Sequence, residues 1–307
     1  MLNFVLLVVG FFMLVKGADW FVEGAASLAN RFGIPQLVIG LTIVAMGTSM
    51  PEAAVSITAA LKGNADITVG NVVGSNILNI LIILGVTAVI TNVAIQKSTL
   101  KIEIPYMLVV TAALIVMGIT GSVVSFVEGI VLWAMFLVYL GYLFYLAKTG
   151  TEEDEPAHAP MRLPQCLLYI VLGGVIVVLG SDFAVDGATG IARMIGLSER
   201  FIGLTIVALG TSLPELVTSV TAARRGNAGI AIGNIVGSNI FNILFVIGTT
   251  ALIIPVTFEP AFVIDSVIAI AAGVILWLGT VRTRELRRPV GALMLLGYFA
   301  YFLYLLF

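Results

Sequence analysis

Two glutamates stand where a glutamate is costly. Glu52 closes Gly47-Thr48-Ser49-Met50-Pro51-Glu52 inside an apolar run from about Leu37 to Ala60, and Glu215 closes Gly210-Thr211-Ser212-Leu213-Pro214-Glu215, 163 positions later, inside another. A carboxylate at membrane depth costs about 3 kcal/mol unless it meets a cation or faces water. Each proline removes a backbone donor and clashes with the carbonyl four residues earlier, at Gly47 or Gly210, and in a bilayer a freed carbonyl needs protein, a wet cavity or an ion as partner. The neighbouring hydroxyls and carboxylates are hard oxygen donors, so the chemistry on offer is binding of a hard cation. A proline kink whose Ser and Thr re-satisfy the backbone explains the proline and the hydroxyls but leaves the glutamates unexplained.

A second repeated stretch adds amides. Gly70-Asn71-Val72-Val73-Gly74-Ser75-Asn76-Ile77-Leu78-Asn79 is matched by Gly233-Asn234-Ile235-Val236-Gly237-Ser238-Asn239-Ile240-Phe241-Asn242. Asn71, Ser75 and Asn79 recur every four residues and share a helical face, as do Asn234, Ser238 and Asn242. Asn71 and Asn234, near the helix starts, read as interhelical hydrogen bonders. Ser75, Asn79, Ser238 and Asn242 lie deeper, at the level of the glutamates, and read as ligands or as supports for ligands. Gly70 with Gly74, and Gly233 with Gly237, are small-residue pairs that predict close helix approach. Two carboxylates with hydroxyls, amides and carbonyls suit Ca²⁺, which takes roughly 6 to 8 oxygens in flexible geometry, better than Mg²⁺. Na⁺ fits the same oxygens, and a formal charge of −2 balances one Ca²⁺ or holds several Na⁺.

The elements that must position these groups are membrane helices. The 307 residues are 60% hydrophobic and 10% charged, with a mean hydropathy of +1.14, against roughly 25% charged residues in soluble domains. At about 20 residues per crossing the apolar runs resolve to ten spans, at 3–28, 36–61, 67–91, 103–120, 124–147, 164–192, 200–223, 230–254, 261–281 and 289–306. The first run lacks a charged leader and a small-residue cleavage site, and reads as a helix rather than a removed signal peptide. Cys166 is the only cysteine and His158 the only histidine, which excludes an internal disulfide framework and a soft-metal cluster. No basic stripe with interleaved aromatics points to nucleic acid.

Residues 39–90 align with 202–253 without a gap, and Gly10, Gly17, Asp19 and Gly24 fall on Gly173, Gly180, Asp182 and Gly187, with Glu23 on Asp186. Five spans per half is an odd number, so the halves enter the membrane in opposite senses. The expected architecture is all-α, two inverted five-helix repeats (1–147 and 164–307) joined by an acidic linker (148–163), with the site at the midplane between them. The excess of Lys and Arg in one set of loops (Arg31, Lys97, Lys101, Lys148, Arg162, Arg224, Arg225, Arg282, Arg284, Arg287 and Arg288) over the other (Lys62, Arg193 and Arg200) places that linker in the cytoplasm and both termini outside, in a cell membrane. Asp19 and Asp182 read as helix-end charges near opposite surfaces, with Lys16 placed for a local pair with Asp19. The fourth and fifth spans of each half read as scaffold, with only Glu128 of note.

At these two repeated motifs the chain resembles the sodium/calcium exchanger family, and the likeness extends from Gly17-Ala18-Asp19-Trp20-Phe21-Val22 through the tenth span. The resemblance implies ten helices, alternating access, and Ca²⁺ expulsion driven by Na⁺ entry. It implies Glu52 and Glu215 as central ligands, main-chain oxygens of Thr48 and Thr211 near Ca²⁺, and Ser49, Ser75, Ser212, Ser238 and the carbonyls of Ala45 and Ala208 at flanking Na⁺ sites. Several members carry aspartate where this chain has Asn242, which speaks against potassium cotransport and leaves the stoichiometry open. A proton-coupled Ca²⁺ antiporter is the alternative, and a cation channel a more distant one. No enzyme activity, cofactor or obligatory protein partner is expected; the lipid bilayer and the transported Ca²⁺ and Na⁺ are.

Overall fold

The computed structural model describes residues 2–63, 65–149, 161–196 and 208–306. The longest helices are the first of each half, α1 (Leu2–Phe32) and α7 (Leu163–Met194). At 1.5 Å per residue each runs to about 45 Å, longer than the roughly 30 Å hydrocarbon layer. They lie antiparallel, as inverted halves require, and glycine lets them touch. A Cβ on Gly10 would fall 2.4 Å from the Ala184 backbone nitrogen, and one on Gly173 2.5 Å from that of Phe21.

The span carrying Glu52 is broken into α2 (Gln36–Thr48) and α3 (Met50–Leu61), bent by 50°. The break is Ser49 (φ −86°, ψ 7°), one residue before the Met50-Pro51 pair that opens the next helix. Ser212 repeats this conformation (φ −92°, ψ 3°) ahead of α8 (Leu213–Arg224). Before it only a short helical turn, Ala208–Gly210, is described, so the expected span 200–223 is observed from Ala208 onward.

At the centre lie α4 (Ile67–Ile90) and α9 (Ala228–Ile253), the latter with 94% of its most apolar window buried against 17% for the peripheral α11 (Arg288–Leu306). Each central helix widens into a π-helical segment that begins at its second ladder asparagine, Asn79–Leu84 and Asn242–Ile247. Such widenings gather at functional sites because they displace the backbone ladder. Outside these sit α5 (Thr99–Gly121), α6 (Phe126–Thr149) and α10 (Pro260–Thr280). The halves interlock symmetrically. α11 packs on α4 through Gly291 and Gly85, while α6 packs on α9 through Gly129 and Gly248. Two-residue strand pairs tie a loop of one half to a loop of the other, Val93 with Leu286 in one and Val124 with Val256 in the other.

Three expectations change. Gly233 and Gly237 do seat α9 on α2, within 2.8 Å of backbone atoms of Leu37 and Leu41 for an added Cβ, but among the described residues a Cβ on Gly74 would meet nothing and one on Gly70 only the Phe262 ring. Residues 197–207 lie outside the described residues, as does most of the acidic linker. Asp19 pairs not with Lys16 but with Arg225, at 2.9 Å. The outer spans also carry more than Glu128, which simply caps α6 by accepting from the Ser125 amide at 2.7 Å. Glu103, fully buried in α5, accepts from Tyr142 of α6, and Asp265 of α10 accepts from Tyr301 of α11 at 3.1 Å. These acid–tyrosine pairs tie neighbouring scaffold helices together.

Candidate cation site

Both glutamates occupy the first turn after a break, Glu52 as the third residue of α3 and Glu215 as the third of α8. A helix N-terminus presents unpaired amides and a partial positive charge, which favours a carboxylate there. Both side chains are 1% exposed. The two motifs reach across to each other. Ser49 Oγ donates to Glu215 Oε1 at 2.9 Å, and Thr211 lies against the Glu52 carboxylate. The remaining oxygens, Glu52 Oε2 and Glu215 Oε2, have no hydrogen-bond partner among the described residues. Nor does any described Lys or Arg pair with either acid.

The asparagines divide by depth, in matched sets. Asn71 Nδ2 donates to Ser56 Oγ at 3.0 Å and to the Glu52 carbonyl at 3.4 Å, and Asn234 Nδ2 donates to Ser219 Oγ at 2.9 Å and to the Glu215 carbonyl at 3.4 Å. They fasten each glutamate helix to the next, the interhelical role their positions suggested. Deeper, Asn76 and Asn239 exchange bonds across the two halves, each amide donating to the other's main-chain carbonyl at 3.1 Å. Asn79 Nδ2 then donates to Asn239 Oδ1 at 2.9 Å, and Asn242 Nδ2 to Asn76 Oδ1 at 3.1 Å. With their nitrogens engaged, Asn79 and Asn242 are left with buried Oδ1 atoms that no described group satisfies. A buried acceptor without a donor costs about 1 to 3 kcal/mol, and a bound cation could satisfy these four oxygens, two from acids and two from amides, divided equally between the halves.

The other expected residues fall around this core. Thr48 Oγ1 meets Asn234 Oδ1 at 2.9 Å and turns back to the carbonyls of Val44 and Ala45 at 3.1 and 3.3 Å. Ser238 Oγ donates to the Ala45 carbonyl at 3.4 Å. Ser212 Oγ is buried without a partner among the described residues, Ser75 is buried apart from these bonds, and Ala208 stands at the start of its short turn. The carbonyl freed by Pro214, that of Gly210, accepts from Ser181 of α7 at 2.6 Å. Sequence reasoning missed Ser181, Asn76 and Asn239. The two asparagines lie inside the repeated motif but one position off the ladder face, so helical spacing alone did not select them. Among the described residues no three His, Cys, Asp or Glu gather as a metal cluster, at this site or away from it. A cavity of about 350 Å³ approaches the site, lined by Pro51 and Thr211 and by Ser181, Asp182, Val185 and Asp186 of α7.

Comparison with known proteins finds relatives along nearly the whole chain. The sequence profile of the family described as "Sodium/calcium exchanger protein" matches residues 2–145 and 166–307. The putative antiporter CaxA of Alkalimonas amylolytica is 39% identical over 99% of this chain and 98% of its own length. The sodium/calcium exchanger MaX1 of Methanosarcina acetivorans is 31% identical, with 99% of each chain covered. A solved structure of the sodium–calcium exchanger NCX_Mj, soaked with Na⁺ and Sr²⁺, superposes with a TM-score of 0.84 at 32% identity, covering 97% of each chain.

Proposed function

The chain belongs to the sodium/calcium exchanger protein family, a multi-pass membrane transporter and not an enzyme, and from that premise we propose that it exchanges Na⁺ for Ca²⁺ by alternating access at the site between its halves. The observation that carries this reading is the set of unpartnered buried oxygens on Glu52, Glu215, Asn79 and Asn242. Two carboxylates balance one Ca²⁺, and the flexible oxygen set meets its demand for many ligands. Ser49, Ser75, Ser212 and Ser238, with the carbonyls of Ala45 and Ala208 and the threonines Thr48 and Thr211, supply the neutral oxygens around which Na⁺ ions take Ca²⁺'s place. Because each half contributes one glutamate and one amide oxygen, rocking one half against the other opens the site to either side without dismantling it. Both termini lie outside and the 148–163 linker lies in the cytoplasm.

The test is ⁴⁵Ca²⁺ uptake into proteoliposomes under an imposed Na⁺ gradient, compared with a pH gradient alone. Uptake that requires the Na⁺ gradient supports the proposal. Uptake that follows the pH gradient and ignores Na⁺ assigns proton coupling instead, and a steady single-channel current in a planar bilayer assigns a channel.

A further inference from the structure

Arg225, at the end of α8, donates through Nη2 to Asp19 at 2.9 Å and lies 3.3 Å from Glu23 through Nη1, both acids being on α1. Each member of this trio has a counterpart 163 positions away. Arg225 corresponds to Lys62 at the end of α3, and Asp19 and Glu23 correspond to Asp182 and Asp186 on α7. The charges are the same and the state is opposite. Arg225, Asp19 and Glu23 are half-buried in their ion pairs, whereas Lys62, Asp182 and Asp186 are exposed, with no ion pair between them. α8 packs along α1 beneath the closed trio, while α3 makes no comparable contact with α7. The cavity that reaches Thr211 enters between Asp182 and Asp186, on the unpaired side. Since α1 and α7 are antiparallel, Glu23 and Asp186 lie about 25 Å apart along the pair, toward opposite faces.

We propose that these six residues form two alternating charge latches. Arg225 with Asp19 and Glu23 holds one entrance shut in the conformation seen here, and Lys62 with Asp182 and Asp186 shuts the other when the halves exchange conformations. The proposal rests on the alternating-access reading, in which the second state is the first with the roles of the repeats reversed. Nothing in the cation site itself requires these charges, since none of the six touches Glu52 or Glu215. Partly exposed ion pairs are weak, which suits a latch that must open in every cycle. Arg225 holds its two acids through a planar fork with several donors, and Lys62 offers a single ammonium, so the latches differ in strength. The Arg225 side is the tighter one, in accord with the conformation observed.

The test uses full-length protein in nanodiscs, with Cys166→Ala as background and either Val185→Cys, in the open cavity, or its counterpart Val22→Cys, fully buried behind the closed latch. The measured quantity is the ratio of their labelling rates with a membrane-impermeant thiol reagent, without ion gradients. Arg225→Gln should shift the ratio about three- to fivefold toward position 22. Lys62→Gln should shift it the other way, and Arg225→Lys should restore most of the original ratio. Lys62 is exposed and unpaired here, so Lys62→Gln carries no folding cost in this state and decides the matter if Arg225→Gln fails to fold. Unchanged ratios, or a shift in the same direction for both variants, would overturn the latch. Because the readout needs no transport, predicted shifts in a protein that shows no Na⁺-driven Ca²⁺ flux would sink the functional proposal and leave the latch standing.

Discussion

Glutamine in place of either glutamate keeps the shape of the side chain and removes its charge. Removing a buried carboxylate that has no protein cation relieves desolvation, so Glu52→Gln and Glu215→Gln should each abolish exchange while eluting as folded protein on size exclusion. Wild-type flux by either variant would remove that residue from the site. Asn76→Leu tests the support of the site. It deprives the Asn242 amide of its acceptor and the Asn239 carbonyl of a donor, so it should cost about 1 to 3 kcal/mol of stability, read as a lowered thermal midpoint, and weaken Ca²⁺ binding as well. The glutamates and ladder residues were legible because their chemistry is improbable in a bilayer and occurs twice. The cross-half bonds were not, because a helix's own periodicity says nothing about which groups meet across a pseudo-twofold axis.

At the scale of elements, glycine decides how closely α1 and α7 approach. In the sequence Gly173 and its neighbours mark only the extent of the repeat; in the fold they are where two long helices touch. Gly173→Ala would place its methyl group 2.5 Å from a backbone nitrogen that cannot move aside, so it should destabilise by about 1 to 3 kcal/mol. Gly141, with open space around it, is the control. Gly141→Ala should be neutral or stabilise by up to about 1 kcal/mol. Thermal unfolding in detergent compares the two, and equal effects would contradict the close-packed α1–α7 pair. The breaks at Ser49 and Ser212 were readable from the prolines. The π-helical segments at Asn79 and Asn242 were not, because hydrophobic spacing carries no trace of one extra residue in a turn.

For the molecule as a whole, the gap-free alignment of the halves and their odd span count made the inverted architecture readable before any helix was placed. Orientation came from loop charge alone. Cysteines introduced at Asn3 and, separately, at Asp154, on the Cys166→Ala background, should label from opposite sides of the membrane, and labelling from one side would reject that orientation. Charge also bears on voltage. With Asn at both 79 and 242, the two glutamates carry −2 when both are ionised; on the proposed exchange the Ca²⁺-loaded site is then neutral, and any Na⁺ count above two leaves it positive. A unit charge crossing the membrane is worth about 2.3 kcal/mol per 100 mV. Na⁺/Ca²⁺ exchange should therefore respond to a K⁺–valinomycin potential and Ca²⁺/Ca²⁺ exchange should not; the reverse would mean that the charge count is wrong. The central claim, that one Ca²⁺ is held jointly by both halves, is tested most directly by equilibrium ⁴⁵Ca²⁺ binding to purified protein. The account predicts one Ca²⁺ per chain, displaced by Na⁺ and lost in both Glu52→Gln and Glu215→Gln, whereas Ca²⁺ binding that survives either substitution at full affinity would contradict it.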